Sequence, residues 1–441
     1  MIQDSTVFPS IDYAAHPAFR GFAPARASQD AAIEEAIRQA DAVLDEVHSS
    51  PSAFPEADIQ SSYQTRVLPQ LEAIGRLMVE SLPGELPIAG IAATALAETR
   101  EELLKEALFQ NEKKRYRPAE RVSPSIERIA RDLSEEGLSL HRVPQPAIEA
   151  ILDDVGEYRQ RLTELSSRNG GMNCALALPH SGRFWSETQA FLDGAGIIAG
   201  CSLARCQPLE LAYCALVLSH DGEQWWRDCY QDAGLATART VYMHNDKDYD
   251  IMKVLVYLSE VDEARGPFCF VRGSHKWRRS RTQSFFFKAF DAAANVSLAP
   301  REPVRTVYYR KAFHHPAFRE QFLKLPRPLR GSSHFGDDVL DDSELSGWLL
   351  ERETAVTSDM ANCMAFIGAD GIHRGGCVRK GQRWALQLGL RKTPPLHRRI
   401  ERQAKAAYAL TRSKLRGAVR RFVGERGAQS VRSLAQRVSG R

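Results

Sequence analysis

Apolar residues recur at helical spacing through the first 120 or so positions, then give way to strand-like runs. From Ser28 to His48 the set Ile33, Ile37, Ala40, Val43, Leu44 and Val47 follows the i, i+4, i+7 rhythm of an amphipathic helix. A second such stretch runs from Tyr63 to Leu82, with Val67, Leu68, Leu71, Ile74, Leu77 and Met78 on one face. A third runs from Ala92 to Arg115 and ends in the charged EKKRYRP. Residues 1 to 27 are rich in Pro, Ala and Ser and show no period. The pattern predicts a mainly helical N-terminal region over residues 1–124, with no chemical motif and no internal repeat.

The texture changes from about Ser125. SIERIARDLSEEGLSLHRVP reads as a helix, a glycine stop at Gly137 and a short apolar strand, and PAIEAILDDVGEYRQRL as another helix. After Leu209 strand-like runs dominate: LAYCALVLS, MKVLVYLSEV, GPFCFVRGS, NCMAFIGA and RWALQLGLR. They are rich in aromatic and β-branched residues, bounded by Gly, Ser and Asp, and spaced as in an antiparallel sandwich or barrel. A polar-aromatic insertion over 280–350 interrupts them, and is expected to fold over the mouth of the domain and shape a pocket. Its Arg305, Arg310, Lys311, Arg319 and Lys324 are candidates to meet an anionic substrate, with a solvated lid as the blander alternative. The expected organisation is α+β: helices over 1–124, a strand-rich domain over 125–395, and a helical tail over 396–441.

Composition narrows the class. At 441 residues, 43% hydrophobic and 26% charged, the chain suits a soluble protein of one large domain plus an accessory region, or of two to three domains. No basic-then-apolar leader opens it and no window approaches 18 apolar residues, so neither a secretory signal nor a membrane span is expected. The eight cysteines form no CxxC pair, which fits reduced thiols in a cytoplasmic protein. The net charge of +4 hides an asymmetry. Residues 396–441 hold thirteen Lys and Arg against Glu401 and Glu425, or +11, which leaves 4 − 11 = −7 for the rest. Ile400, Ala404, Ala407, Leu410, Leu415, Val419, Phe422 and Val423 give this tail an apolar face. It reads as a basic amphipathic helix for peripheral contact with an anionic membrane surface, or as a helix packed on the acidic body. Nucleic acid ranks lower as a partner, because no base-stacking aromatics or reader motif accompany the charge.

The candidate chemistry lies in VYMHNDKDYD. In an extended segment residues i and i+2 share a face, so His244 and Asp246 converge on one point while Asn245 faces away. An imidazole and a carboxylate make two-thirds of a metal site. Most other histidines sit in presumed surface segments or at element ends. His373, in CMAFIGADGIHRGG, is different: it follows an apolar strand, is trailed by glycines, and lies ten residues before Arg383 on the next strand.

Taken in order, HND, LVYLSEVDEARGPFCFVRGSH, FIGADGIHRGG and RWALQLGL resemble the phytanoyl-CoA dioxygenase family of Fe(II)/2-oxoglutarate oxygenases over about residues 126 to 392. The chain departs from the family pattern at Arg265, where Asn precedes Gly-Pro, at Arg272, where the turn carries Pro, and near Leu255, where Trp is common. The resemblance implies a double-stranded β-helix (jelly-roll, cupin-like) core with flanking helices. It implies Fe(II) held by His244, Asp246 and His373, a facial triad that leaves three positions for a chelating co-substrate and O2. It further implies that Arg383 binds the far carboxylate of 2-oxoglutarate through its guanidinium fork. The product side is then succinate and CO2, with hydroxylation of a small-molecule, lipid-linked or sugar-linked substrate. Halogenating relatives lack the carboxylate that Asp246 supplies here. Two other classes compete: a zinc-dependent hydrolase using the same triad, which has no need of Arg383 at that spacing, and a non-catalytic cupin-like binding or assembly protein.

Overall fold

The computed structural model describes residues 12–393, apart from 17–18, 25–28, 83–85, 119–120, 169–173, 181, 222–239, 241–242, 299–315 and 335–343. Two compact units divide the chain, Met1–Lys392 and Thr393–Arg441. The expected tail helix lies outside the described residues, as do Arg305, Arg310 and Lys311.

The helical periodicity of the N-terminal region is realised. Helix α1 spans Asp30–Ser49 and buries Ile33, Ala36, Ile37, Ala40, Val43, Leu44 and Val47, the face its spacing dictates. Helices α2 (Glu56–Ser62), α3 (Leu68–Ser81) and α4 (Pro87–Lys113) follow, with one π-helical turn, Tyr63–Val67, between α2 and α3. Next come α5 (Pro124–Glu136), β1 (Leu138–His141), α6 (Gln145–Asp154), α7 (Gly156–Arg168), β2 (Cys174–Ala177), α8 (Arg183–Gly194) and α9 (Ile197–Arg205). Helix α5 starts where Ser123 accepts from the Ile126 N–H and ends at Gly137, at φ 78°, where a side chain would strike Phe270 and His275. The single helix expected over 146–162 is broken. Val155 leaves the helical conformation at φ −98°, ψ 8° and is fully buried, with glycine following it.

The strands form two antiparallel sheets. β3 (Leu209–His220), β4 (Met252–Tyr257), β7 (Cys363–Phe366) and β9 (Gln382–Lys392) join β1 and β2 in the order β1-β7-β4-β9-β3-β2. β5 (Phe268–Val271), β6 (Glu353–Val356) and β8 (His373–Gly375) form the second, ordered β6-β5-β8. Strand alternation sorts the large sheet's side chains. Met252, Val254, Val256, Cys363, Ala365, Trp384, Leu386 and Leu388 join a core shared with α5 to α9. The intervening Tyr257, Met364, Phe366 and Ala385 meet Phe268, Phe270 and Val356 of the small sheet. Tyr257 bolts the sheets together: its hydroxyl donates to the Val356 carbonyl at 2.7 Å and accepts from the Phe268 N–H at 2.7 Å.

The described helices of the 280–350 insertion pack into the core. Helix α10 (Arg281–Leu298) buries Phe286, Ala289, Phe290 and Ala294 among the N-terminal helices, and Phe318 and Phe322 of α11 (Pro316–Phe322) join the same core. A further helix, α12, spans Glu344–Glu351. Arg319, a candidate substrate-facing cation, is buried, and Lys324 donates to the Ala23 carbonyl at 2.8 Å. Aromatic spacing that resembles a lid pattern is here the apolar face of a core helix.

Candidate metal centre

His244, Asp246 and His373 come together: one ligand atom from each lies within 4.8 Å of the others. The backbone makes this convergence. His244 N–H donates to the His373 carbonyl at 2.9 Å and His373 N–H returns the bond at 3.0 Å, so the two residues are direct cross-strand partners. His373 opens β8, where it opposes Phe270 while Gly375 opposes Phe268. Since both phenylalanines face the inter-sheet core, His373 and Gly375 face it too. Ser274, in the GSH turn, accepts from the Ile372 N–H at 2.8 Å and so braces the residue before the histidine. His275 of the same turn points away and bonds the Ser134 carbonyl at 3.1 Å.

The donor atoms are buried and aimed. Asp246 and His373 side chains are only 4% and 5% exposed, and that of His244 12%. Nε2 of His373 stands 3.5 Å from Asp246 Oδ2, and Nε2 of His244 3.8 Å from Oδ1. His373 Nδ1 lies 3.2 Å from the Gly371 carbonyl, which makes Nδ1 the protonated nitrogen and turns the Nε2 lone pair toward the carboxylate. Asp246 Oδ2 is buried with no hydrogen-bond partner. Two imidazoles and a stranded carboxylate oxygen fit a divalent metal: a buried anionic oxygen left bare is costly, and a cation at that point satisfies it. Gly368 keeps the space open, since a Cβ there would lie 2.0 Å from Oδ2, and its carbonyl accepts the Asp246 N–H at 2.9 Å.

Two further features carried no sequence motif. Lys253 lies on β4, buried, with Nζ 2.7 Å from Asp246 Oδ1. Burial raises the Asp246 pKa, but Lys253, His373 and His244 outweigh it and hold the carboxyl well below the usual range. His334 pairs with His244 on the side away from His373, so three histidines stand in one cross-strand row, and its ring stacks on His244 at 5.8 Å and 13°. Its Nδ1 lies 3.1 Å from Asp291 Oδ2, which also accepts from Ser332 Oγ, Ser333 N and Ser333 Oγ. Nε2 of His334 is buried without a hydrogen-bond partner.

Arg383 is placed beside this centre by β9. It pairs with Ser219 across β3, is 8% exposed, and donates through Nη2 to Ser219 Oγ at 3.0 Å and through Nη1 to the Gly266 carbonyl. The guanidinium fills the space above Gly375, where a Cβ would stand 2.7 Å from Nη2. Gly375 is two residues from His373 on the same face, so Arg383 lies about 7 Å along β8 from the histidine. The charge on Asp370 is offset elsewhere, by Lys288, Arg205, Arg281 and Lys113. Asn245 faces the opposite side from the ligand pair and accepts from Arg279. Arg391, further along β9, pairs at the surface with Asp250 at 3.5 Å.

No family model matches the chain and no curated protein matches it. Among solved structures, the epimerase SnoN in complex with Fe3+, alpha ketoglutarate and nogalamycin RO is 12% identical, with 61% of this chain and 84% of SnoN covered and a TM-score of 0.33. The non-heme alpha ketoglutarate dependent carbocyclase SnoK from nogalamycin biosynthesis is 13% identical over 63% and 87%, at 0.34. HygX from Streptomyces hygroscopicus, with nickel and 2-oxoglutarate bound, is 14% identical over 62% and 88%, at 0.33. Likeness this distant carries no functional argument, so the reading below rests on the chain's own residues. No helix among the described residues is long and apolar enough to cross a membrane.

Proposed function

We propose that this chain is an Fe(II)/2-oxoglutarate-dependent oxygenase, built on a double-stranded β-helix core, that hydroxylates a small-molecule substrate. The observation that carries the reading is the buried Oδ2 of Asp246, without a hydrogen-bond partner, in a cluster where one ligand atom each of Asp246, His244 and His373 lies within 4.8 Å of the others. His244, Asp246 and His373 would hold the metal through two nitrogens and one oxygen, a donor set that suits non-haem Fe(II). Bound there with O2 and 2-oxoglutarate, iron supplies the oxidising power for hydroxylation, with release of succinate and CO2. Arg383 would take the far carboxylate of 2-oxoglutarate in its guanidinium fork, and its fixed bonds to Ser219 and Gly266 pre-orient it for that contact. The inter-sheet core of Phe268, Phe270 and Phe366 shields the site from bulk water.

Anaerobic addition of Fe(II) and 2-oxoglutarate is expected to raise a weak visible metal-to-ligand charge-transfer band. Full metal occupancy without that band would end the oxygenase reading. A second reading has one observation in its favour. The Lys253 ammonium already neutralises Asp246, as a metal would, which suits a non-catalytic binding protein. Failure of wild-type protein to retain any divalent metal would favour it.

A further inference from the structure

We infer that Lys253 is the positioning residue that makes Asp246 a one-oxygen ligand, and thereby keeps a coordination position open for the co-substrate. The inference rests on the metal-centre reading above and deepens it.

The two oxygens of Asp246 have different fates. Oδ1 accepts from Lys253 Nζ at 2.7 Å, while Oδ2, without a hydrogen-bond partner, faces His373 Nε2 at 3.5 Å. The carboxylate has little freedom to exchange them. Its main chain is tied by the N–H bond to the Gly368 carbonyl, and a side chain at Gly368 would put its Cβ 2.0 Å from Oδ2. Lys253 is fixed as well: it sits on β4, paired with Phe366 on one side and Gly389 on the other, with its side chain 7% exposed.

An octahedral metal held by two imidazoles and one carboxylate oxygen has three positions left. A chelating 2-oxo acid takes two and O2 the third. A carboxylate that ligates through both oxygens takes one of those three. The Lys253 hydrogen bond occupies Oδ1 and so opposes two-oxygen binding. A buried carboxylate oxygen is costly when left bare. Without the ammonium, Oδ1 would be free to bind a metal held at the site, and 2-oxoglutarate would then have to displace it.

The test is the charge-transfer titration with 2-oxoglutarate on anaerobic Fe(II)-loaded protein, with iron content measured separately. Lys253→Met keeps the apolar stem and removes the donor. It is expected to raise the half-saturating 2-oxoglutarate concentration about tenfold or more, within the roughly 10–100-fold range of partners that orient metal ligands. Lys253→Arg restores a cationic donor and is expected to bring the value back toward wild type. In a Co(II)-loaded sample, Lys253→Met is expected to alter the visible ligand-field spectrum before any 2-oxoglutarate is added. Should the methionine variant fail to fold, Lys253→Gln carries the same expectations, because its amide is one bond too short to reach Oδ1. Superimposable Co(II) spectra and unchanged half-saturation would overturn the inference alone. Wild-type protein that forms no charge-transfer band would overturn the metal-centre reading, and the inference with it.

Discussion

The guanidinium of Arg383 occupies the volume that a side chain on Gly375 would fill, with Nη2 only 2.7 Å from the place of a Cβ. The glycine is therefore part of the candidate co-substrate clamp, although it offers no functional group. Arg383→Ala is expected to raise the 2-oxoglutarate KM about ten- to a thousandfold, or roughly 1.4–4 kcal/mol. Gly375→Ala, which keeps the charge but displaces it, is expected to raise KM in the same direction by a smaller factor. Both values come from succinate-release kinetics over a range of 2-oxoglutarate concentrations. An unchanged KM in Arg383→Ala would move the clamp to another cation.

The triad variants are expected to differ in stability even though all three lose iron. His244→Ala and His373→Ala remove a donor and leave no charge behind. Asp246→Ala removes the carboxylate that the buried Lys253 ammonium bonds, a loss on the order of 3–5 kcal/mol for a broken buried pair. The metal-free Asp246→Ala protein should therefore melt well below the two histidine variants, and adding Lys253→Met should recover much of the loss. Non-additivity of that kind in urea-unfolding free energies is the signature of a coupled pair. Equal melting of all three single variants would show that the pair carries no such coupling.

The sequence makes the triad visible because its signal is local: a two-residue alternation at His244 and Asp246, and a histidine at a strand end ten residues before an arginine. Lys253 was legible in principle, as the one charge inside MKVLVY. Its meaning depends on which face of β4 meets Asp246, and only the pairing with β7 and β9 settles that. His334, in GSSHFG, carries no periodic cue at all. It reaches the site through a bridge to His244 ninety positions earlier and an aspartate on a helix whose aromatic face suggested a lid. Strands β6 and β8, of four and three residues, are too short to show a period of two. The break at Val155 was hidden for a different reason, since tertiary burial overrode a continuous helical pattern.

Asp291 is fully buried and accepts from Ser332 Oγ, Ser333 N, Ser333 Oγ and His334, so it fixes the segment that stacks on His244. Asp291→Ala would strand several buried donors together, at about 1–3 kcal/mol each before relaxation. The metal-free variant is expected to lose at least about 2 kcal/mol in urea unfolding, beyond the ~1 kcal/mol typical of a point substitution. His334→Leu, which takes away one member and leaves the serines bonded, is expected to cost less. A larger loss in His334→Leu than in Asp291→Ala would mean that ring packing, not the carboxylate, holds this segment.

The acid side of the stability profile should carry a component from His141. This histidine ends β1, opposite Cys363, with Nε2 buried and lacking a hydrogen-bond partner. Burial, aided by the nearby Arg128 charge and only partly opposed by Asp132, lowers its pKa from 6.5 to about 4. Between those values the unfolded chain binds the proton and the folded chain does not, so unfolding is favoured as acid is added. The stabilisation is complete above pH 6.5 and is lost as pH falls through about 4. His141→Gln lacks the titration, so the wild-type advantage over this variant should shrink steadily across that window in urea unfolding. A difference that stays constant from pH 7 to pH 4 would show that His141 takes up its proton in the folded state as readily as in the unfolded chain.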